Sequence, residues 1–388
     1  MTGSWYSPPE ISDQGETMST EERAYWVAFN HIRGIGSVRV QKLLKAFGNL
    51  RTAWDVPRHQ LLEAGLDERS AGAIISGRAE LDPQKLLDRC GKIGLTVLVW
   101  DDPDYPPRLK ELPSPPPVLY LRGAMIEADG LAVAIVGTRK ATAYGKEVTR
   151  LFASALAANG ITVVSGMARG IDAEAHVCAL DRNGRTLAVL GCGADVVYPP
   201  EHGRLAKRIA ENGAVLSDYA PGTPPDAANF PPRNRIIAGL ALATLVVEAG
   251  EESGALLTAW YAAEYGRDVF AVPGSILTPA SKGCNRLIGD GAQPALSPDA
   301  LIAALDIPRI APALQMRMIV PESPVEAKIL DALGAEPVHI DQLRASVNLP
   351  VETVSGALVL MELKGMVRTV GGMQYVAASP RAPADHRD

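Results

Sequence analysis

Arg139 and Lys140 stand directly behind an apolar run and a glycine in the stretch LAVAIVGTRKATAYGKEVTRL. Cations at such a place can hold phosphate. Leu131 to Val136 is nearly all apolar, the pattern of a strand buried on both faces. Gly137 ends the run and Thr138 can cap the next element. From Lys146 to Ala158, Val148, Leu151, Phe152, Ala155 and Leu156 repeat at helical spacing, and Asn159-Gly160 ends the helix. The two cations thus fall on a strand-to-helix turn, at the carboxyl edge of a parallel sheet. Open α/β sheets bind ligands there, and helix amides attract anions. One basic pair on a loop is ordinarily a solubility feature, but the arrangement recurs. The run ITVVS, ending in Ser165, leads into GMARGID. Met167 follows Gly166, and Arg169 sits at a second strand end before Gly170. Glycines there let a ligand backbone approach closely.

A third segment, NFPPRNRIIAGLA, places Arg233 and Arg235 around Asn234 at the start of a helix, where cations oppose the macrodipole. Such a placement calls for a compensating anion, or for carboxylates such as Glu248. For Arg235, helical and close to the sheet, carboxylate pairing weighs as much as a ligand role. Phe230 beside them either stacks on a base or belongs to the core. SKGCNRLIGDGA adds Lys282 and Asn285 as rim candidates. No catalytic set assembles: His176 has no nucleophile or carboxylate partner by pattern, and His202 and His339 are isolated. There is no G-x-x-x-x-G-K-[ST], and no G-x-G-x-x-G with an acid about 20 residues on. The reading is a binding cleft without chemistry of its own and without a cofactor.

The elements that must position these residues emerge from the same patterning. With 388 residues, 47% hydrophobic and 21% charged, the chain can form about two or three globular domains. No apolar run reaches a membrane span and no basic-then-apolar leader opens the chain, so a cytoplasmic protein is expected. The four cysteines (Cys90, Cys178, Cys192, Cys284) lie far apart, which predicts buried free thiols. A net charge of −6 argues against a general nucleic-acid binder and leaves room for a local basic cleft. Residues 1–21 and 379–388 read as disordered tails. Residues 22–80 read as a helical domain centred on HIRGIGSVRVQKLLKAFG, a helix-hairpin-helix pattern with Arg39, Lys42 and Lys45, or else a packing turn. Residues 81–305 alternate strands and helices and predict a doubly wound, Rossmann-like parallel sheet. A linker (306–324) leads to a winged-helix pattern at 325–378, whose recognition helix carries Lys364 as its lone basic residue. Duplex readers need more cations than that.

Together these motifs resemble the bacterial DNA-processing protein A (DprA/Smf) family. The matching pieces are VGTRKATAYG, SGMARGIDAEAH, GCGADVVYPPEH, FPPRNRIIAGL, VVEAGEESGALLTAWYAAEYGRDVFAVPG and SKGCNRLIGDGA, in order through the central region. The resemblance implies binding of single-stranded DNA without sequence preference, protection of incoming DNA during natural transformation, loading of the RecA recombinase, and a homodimer. It implies DNA contacts at Arg139, at Ser165, Gly166 and Arg169, and at Phe230, Arg233, Asn234 and Arg235. It also implies an N-terminal sterile-alpha-motif-like domain. Many members have a lysine a few residues before the phenylalanine, where this chain has PPDAANF; either affinity is lower, or Lys140 or Lys282 substitutes. A nucleotide-binding or nucleotide-hydrolysing enzyme using the same crevice is the alternative, weakened because EAGEESGALLT replaces the P-G-G-x-G-T motif of such enzymes. A transcription regulator that reads duplex DNA is a third reading.

Overall fold

The computed structural model describes residues 19–305, 323–333, 338–363, 367–371 and 373–377. They form two compact units that part after Leu305.

Helices open the first unit. They are α1 (Thr20–His31), α2 (Ser37–Phe47), α3 (Leu50–Asp55), α4 (Arg58–Glu63), α5 (Glu68–Glu80) and α6 (Pro83–Lys92). Four of the six starts are set by side-chain caps: Ser19, Asn49, Asp67 and Asp82 each accept a backbone N–H of the first turn. Ser19 to Glu21, placed in the tail by sequence, therefore begin α1. Gly34 holds a positive φ of 93° in the turn before α2, a backbone state open to glycine. Two of the three cations singled out on α2 are spent inside the fold. Arg39 donates to Gly34 O and Asp67, and Lys42 donates to Gly65 O. They tie the first helical hairpin to the second. Trp26, Phe29, Leu43, Leu50, Leu61 and Ile74 are buried in one core with Val97, Val99, Val118 and Tyr120 from the sheet. The helical region thus shares its core with the sheet.

The sheet comprises β1 (Thr96–Val99), β2 (Val118–Gly123), β3 (Ala132–Val136), β4 (Thr162–Ser165), β5 (Thr186–Val189), β6 (Gly213–Ser217), β7 (Ala243–Val246), β8 (Asp268–Ala271) and β9 (Gln293–Pro294). Its order is β1-β2-β6-β5-β4-β3-β7-β8-β9. Strands from β6 to β9 in that order run parallel, and β2 joins β6 antiparallel, with β1 antiparallel outside it. The two antiparallel edge strands were not legible as part of this sheet. Every residue of β3, β4, β5, β6 and β7 is buried, which is why these strands read as unbroken apolar runs. A proline-rich connector between β1 and β2, residues 100–117, carries α7 (Pro107–Lys110), whose Leu109 packs with Tyr105 and Leu112 into the main core. Pro116 O accepts hydrogen bonds from Trp100 Nε1 and Tyr105 Oη, pinning the connector.

The connecting helices are α8 (Ala143–Ala158), α9 (Ile171–Asp181), α10 (Gly203–Glu211), α11 (Phe230–Leu240), α12 (Ala255–Glu264), α13 (Lys282–Gly289) and α14 (Pro298–Ala304). Chain order reverses between β3 and β7, the switch point where such sheets usually bind ligands. Here Glu248, 3% exposed, fills that crevice. Its carboxylate accepts from the Thr142 N–H and hydroxyl, and its carbonyl accepts from the Thr138 N–H. The sequence had set Glu248 against the arginines; it fixes the α8 turn instead.

The second unit holds helices Pro324–Ala332, Ile340–Val347 and Val351–Leu363 with an antiparallel sheet, β10 (Val338–His339), β11 (Val367–Gly371) and β12 (Gln374–Ala377), ordered β10-β12-β11. Ile329, Leu343, Val354, Leu358 and Met361 are buried in its core. This is a winged helix. Lys364 and residues 306–322 lie outside the described residues.

Candidate nucleic-acid interface

A cleft of about 220 Å³ opens at the carboxyl ends of β3, β4 and β5, beside the switch point rather than on it. Each strand contributes the loop at its end. Arg139 and Lys140 come after β3, Gly166, Ala168 and Arg169 after β4, and Leu190, Gly191 and Cys192 after β5. Tyr198, Pro199, Phe230 and Arg233 complete the lining.

Two of these loops fit together because Gly170, at φ 79°, lies against Thr138 O and Arg139; a Cβ there would fall 2.3 Å from that oxygen. Thr138 O accepts from the Ile171 N–H, and Lys140 N–H donates back to the Thr138 hydroxyl. Gly137 has Ile171 and Glu248 where a side chain would stand. Gly137, Thr138 and Gly170 therefore shape the turn that presents Arg139 and Lys140, and both of those side chains are exposed.

Phe230 is half-buried on the cleft wall. Its ring centre is 5.5 Å from that of Tyr198. The Arg139 guanidinium lies over the same ring at 5.3 Å and that of Arg233 at 5.8 Å. Gly191 leaves the space the ring occupies: a Cβ there would meet Phe230 at 2.9 Å. The result is an aromatic and guanidinium surface, apolar on its faces and cationic at its rim.

Arg233 is placed differently from the sequence expectation. It is only 4% exposed, and its Nη1 donates to Gly166 O at 2.9 Å and to Val189 O. The groups that offset a cation at the α11 N-terminus are strand-end carbonyls and the nearby Asp172 carboxylate. Asp172, also buried, accepts from the Gly166 and Ala168 N–H groups behind it. Burial holds the Arg233 guanidinium below its ordinary pKa and the Asp172 carboxyl above its own. Arg233 is the floor of the cleft and locks the β4 and β5 loops together.

Five further candidates serve the fold. Ser165 is fully buried and donates to Ile135 O at 2.6 Å. Met167 is fully buried in the core under α9 and α10, with a left-handed φ of 54°. Asn234 donates to Gly254 O, away from the cleft. Arg235 pairs with Asp218 at 2.8 Å and donates to Ser114 O, tying α11 to the connector. Asn285 makes a reciprocal pair of bonds to the Gly274 backbone. Lys282 is exposed on α13, 4.0 Å from Glu251, and it too is outside the cleft lining. Sequence reasoning missed Leu190 to Cys192, Tyr198 and Pro199. The signal was present, since TLAVLGCG ends in glycine just as the runs before Gly137 and Gly166 do.

Two groups that could move a proton, His176 and the cleft-lining Cys192, are held in their neutral forms by burial. His176 is fully buried with Nδ1 2.6 Å from the Thr186 hydroxyl, and burial pushes its pKa down to about 3. The ring is neutral at physiological pH. Burial pushes the Cys192 thiol up to about 11. Among the described residues, no three or more His, Cys, Asp or Glu side chains gather as a metal site, and no helix is long and apolar enough to cross a membrane. All four cysteines are free and buried. What the cleft can do is hold an anionic polymer by its charges and a flat ring by its aromatic wall.

A Rossmann-like sheet with a cleft lined by cations at its edge, followed in sequence by a winged helix, is the architecture these elements define. Its family is specific. The model for DNA recombination-mediator protein A matches residues 96–306, and that for the DprA winged helix domain matches residues 315–373. The chain belongs to the DNA recombination-mediator protein A (DprA/Smf) family. Protein Smf of Synechocystis is 38% identical, over 92% of this chain and 99% of its own length. The Escherichia coli Smf protein is also 38% identical, over 70% of this chain and 75% of its own. The X-ray structure of DprA from Streptococcus pneumoniae superposes with a TM-score of 0.64 at 32% identity, covering 74% of this chain and 98% of that one. A Helicobacter pylori DprA structure, described for its single-stranded DNA binding mode, gives a TM-score of 0.50 at 32% identity over 54% of this chain and 95% of that one.

Proposed function

We propose that this chain binds single-stranded DNA without base preference in the cleft at the ends of β3, β4 and β5. In this reading it is a non-enzymatic mediator, acting as a homodimer, that protects incoming DNA and helps load RecA during natural transformation and recombination. The observation that carries the binding reading is the exposed Arg139 guanidinium over the half-buried Phe230 ring, with Lys140 and Arg169 on the same rim. Guanidinium and ammonium groups take phosphates, and an aromatic wall takes any base because every base has a π-face. The single-stranded DNA binding described for the Helicobacter pylori relative supports the same ligand. His176 is buried and neutral, and the Glu201 carboxylate at the cleft mouth is paired with Arg169, which favours binding over hydrolysis. In the winged helix, Val351–Leu363 carries no Lys or Arg, so that unit is assigned to protein contacts rather than to duplex reading. Anisotropy titrations with labelled oligo-dT, a duplex of equal length and a mononucleotide test the proposal. The expected order is oligo-dT well ahead of duplex, with the mononucleotide weakest; tighter binding of duplex overturns it. A RecA-filament assay on DNA coated with single-strand-binding protein tests the loading step, where the chain is expected to shorten the lag.

A further inference from the structure

Arg169 reaches the mouth of the cleft already engaged. Its Nε lies 2.5 Å from Glu201 Oε1, with the two side chains 61% and 49% exposed. Glu201 belongs to the short turn Pro200–His202, directly after Tyr198 and Pro199 of the cleft wall. The next residue, His202, has Nδ1 2.9 Å from Met167 O. Turn and loop are therefore joined at two points, and the carboxylate is held where Arg169 is. The pairing holds Glu201 below and Arg169 above their ordinary pKa values, so both are charged at neutral pH.

A carboxylate is an odd neighbour for a rim gathered to receive phosphate. Orientation alone does not require one, since Arg233 is oriented by carbonyls. Glu201 repels an incoming phosphate and covers the Nε side of the guanidinium, part of the fork with which arginine grips phosphate in two-point fashion. The pair is also breakable, because solvent-exposed ion pairs are weak and screened by salt. A phosphate arriving with help from Arg139 and Lys140 can displace it.

We infer that Glu201 is a competitive latch on the strand-binding cleft: it occupies Arg169 in the free protein and is displaced by a backbone phosphate of the bound strand. This rests on the cleft being the single-stranded DNA site. The latch lowers affinity and speeds release, a useful property in a protein that hands its strand to another.

The test uses the full chain and labelled oligo-dT across a salt series. Glu201→Gln keeps the shape and removes the charge; on an exposed side chain it is expected to leave the melting temperature unchanged. It is expected to bind about threefold tighter at low salt, with a salt slope steeper by up to ~0.7, the equivalent of one phosphate. Adding Arg169→Ala to Glu201→Gln is expected to abolish the gain. If the wild type binds with an Arg139-dependent affinity while Glu201→Gln binds equally or more weakly, Glu201 merely orients Arg169 and the latch is overturned alone. If the wild type fails to bind oligo-dT, the latch falls together with the single-strand reading.

Discussion

Arg233 looked from its sequence position like a phosphate ligand, and the structure makes it the floor of the cleft. Arg233→Met separates the two roles. The substitution keeps much of the length and apolar surface of the side chain and removes the guanidinium. It leaves the Gly166 and Val189 carbonyl oxygens without their donor and deprives buried Asp172 of the positive charge nearby. Hydrogen bonds to a charged group are each worth about 1.5–3 kcal/mol. Taking one partner from a buried charged set costs about 3–5 kcal/mol in all. For a unit of this size about 1 kcal/mol corresponds to ~2 °C, so we expect a melting temperature lower by about 6–10 °C in a calorimetric scan. The salt slope of oligo-dT binding, measured well below that transition, is expected to stay unchanged. A guanidinium already buried against carbonyls neutralises no phosphate and releases no counterion. A variant that melts with the wild type but whose slope falls by ~0.7 would show that Arg233 turns outward to the strand and that its carbonyl partners are incidental.

Phe230→Ala is expected to weaken oligo-dT binding by about 5- to 150-fold, the ~1–3 kcal/mol of one stacked base, with no change in salt slope. Because the ring is only half-buried, its stability cost should stay below the ~3–5 kcal/mol of a core phenylalanine; a stable variant with unaltered affinity refutes the stacking role. Burial raises Cys90 and Cys192 to about 11 and Cys178 and Cys284 to about 12, so little thiolate exists at pH 8. A thiol reagent is expected to react slowly with the native chain, faster as pH rises, and with all four cysteines in denaturant; rapid native labelling at pH 8 contradicts the burial. Removing residues 325–388 is expected to leave oligo-dT affinity largely intact, since the first unit is compact by itself; a large drop in affinity in a folded truncation would assign the winged helix a share of the strand.

The parallel strands were readable because burial on both faces demands continuous apolar residues, and the runs of β3, β4 and β5 stop at Gly137, Gly166 and Gly191, whose missing side chains the structure accounts for. The turn after β3 was readable for the same reason, and Arg139 and Lys140 do project from it. Charge alone did not reveal direction. Arg233 and Arg235 are two residues apart on one helix, yet one meets strand-end carbonyls and the other Asp218 and Ser114, partners distant in sequence. Ser165 and Met167 flank Gly166, but Ser165 still belongs to the end of the strand and Met167 points into the core beneath the loop. The place of β1 and β2 in the sheet escaped because β2 pairs antiparallel with β6 and β1 with β2, partners that no local pattern states. Tyr198 and Gly191 were overlooked because the segment after β5, LGCGADVVYPPEH, holds no Lys or Arg to mark it, although the cleft takes its aromatic wall and the room for it from them.

The central claim is that Arg139 and its rim partners hold the phosphates of a single strand. The salt dependence of oligo-dT affinity, measured for the wild type and Arg139→Ala under identical conditions, tests it most directly. We expect the alanine variant to bind more weakly, with the slope of log affinity against log salt reduced by about 0.7 for each phosphate the arginine neutralises, and to melt within a degree or two of the wild type because the side chain is exposed. Equal affinity and equal slope in a folded Arg139→Ala protein would contradict the account and leave the cation pair after β3 as surface charge.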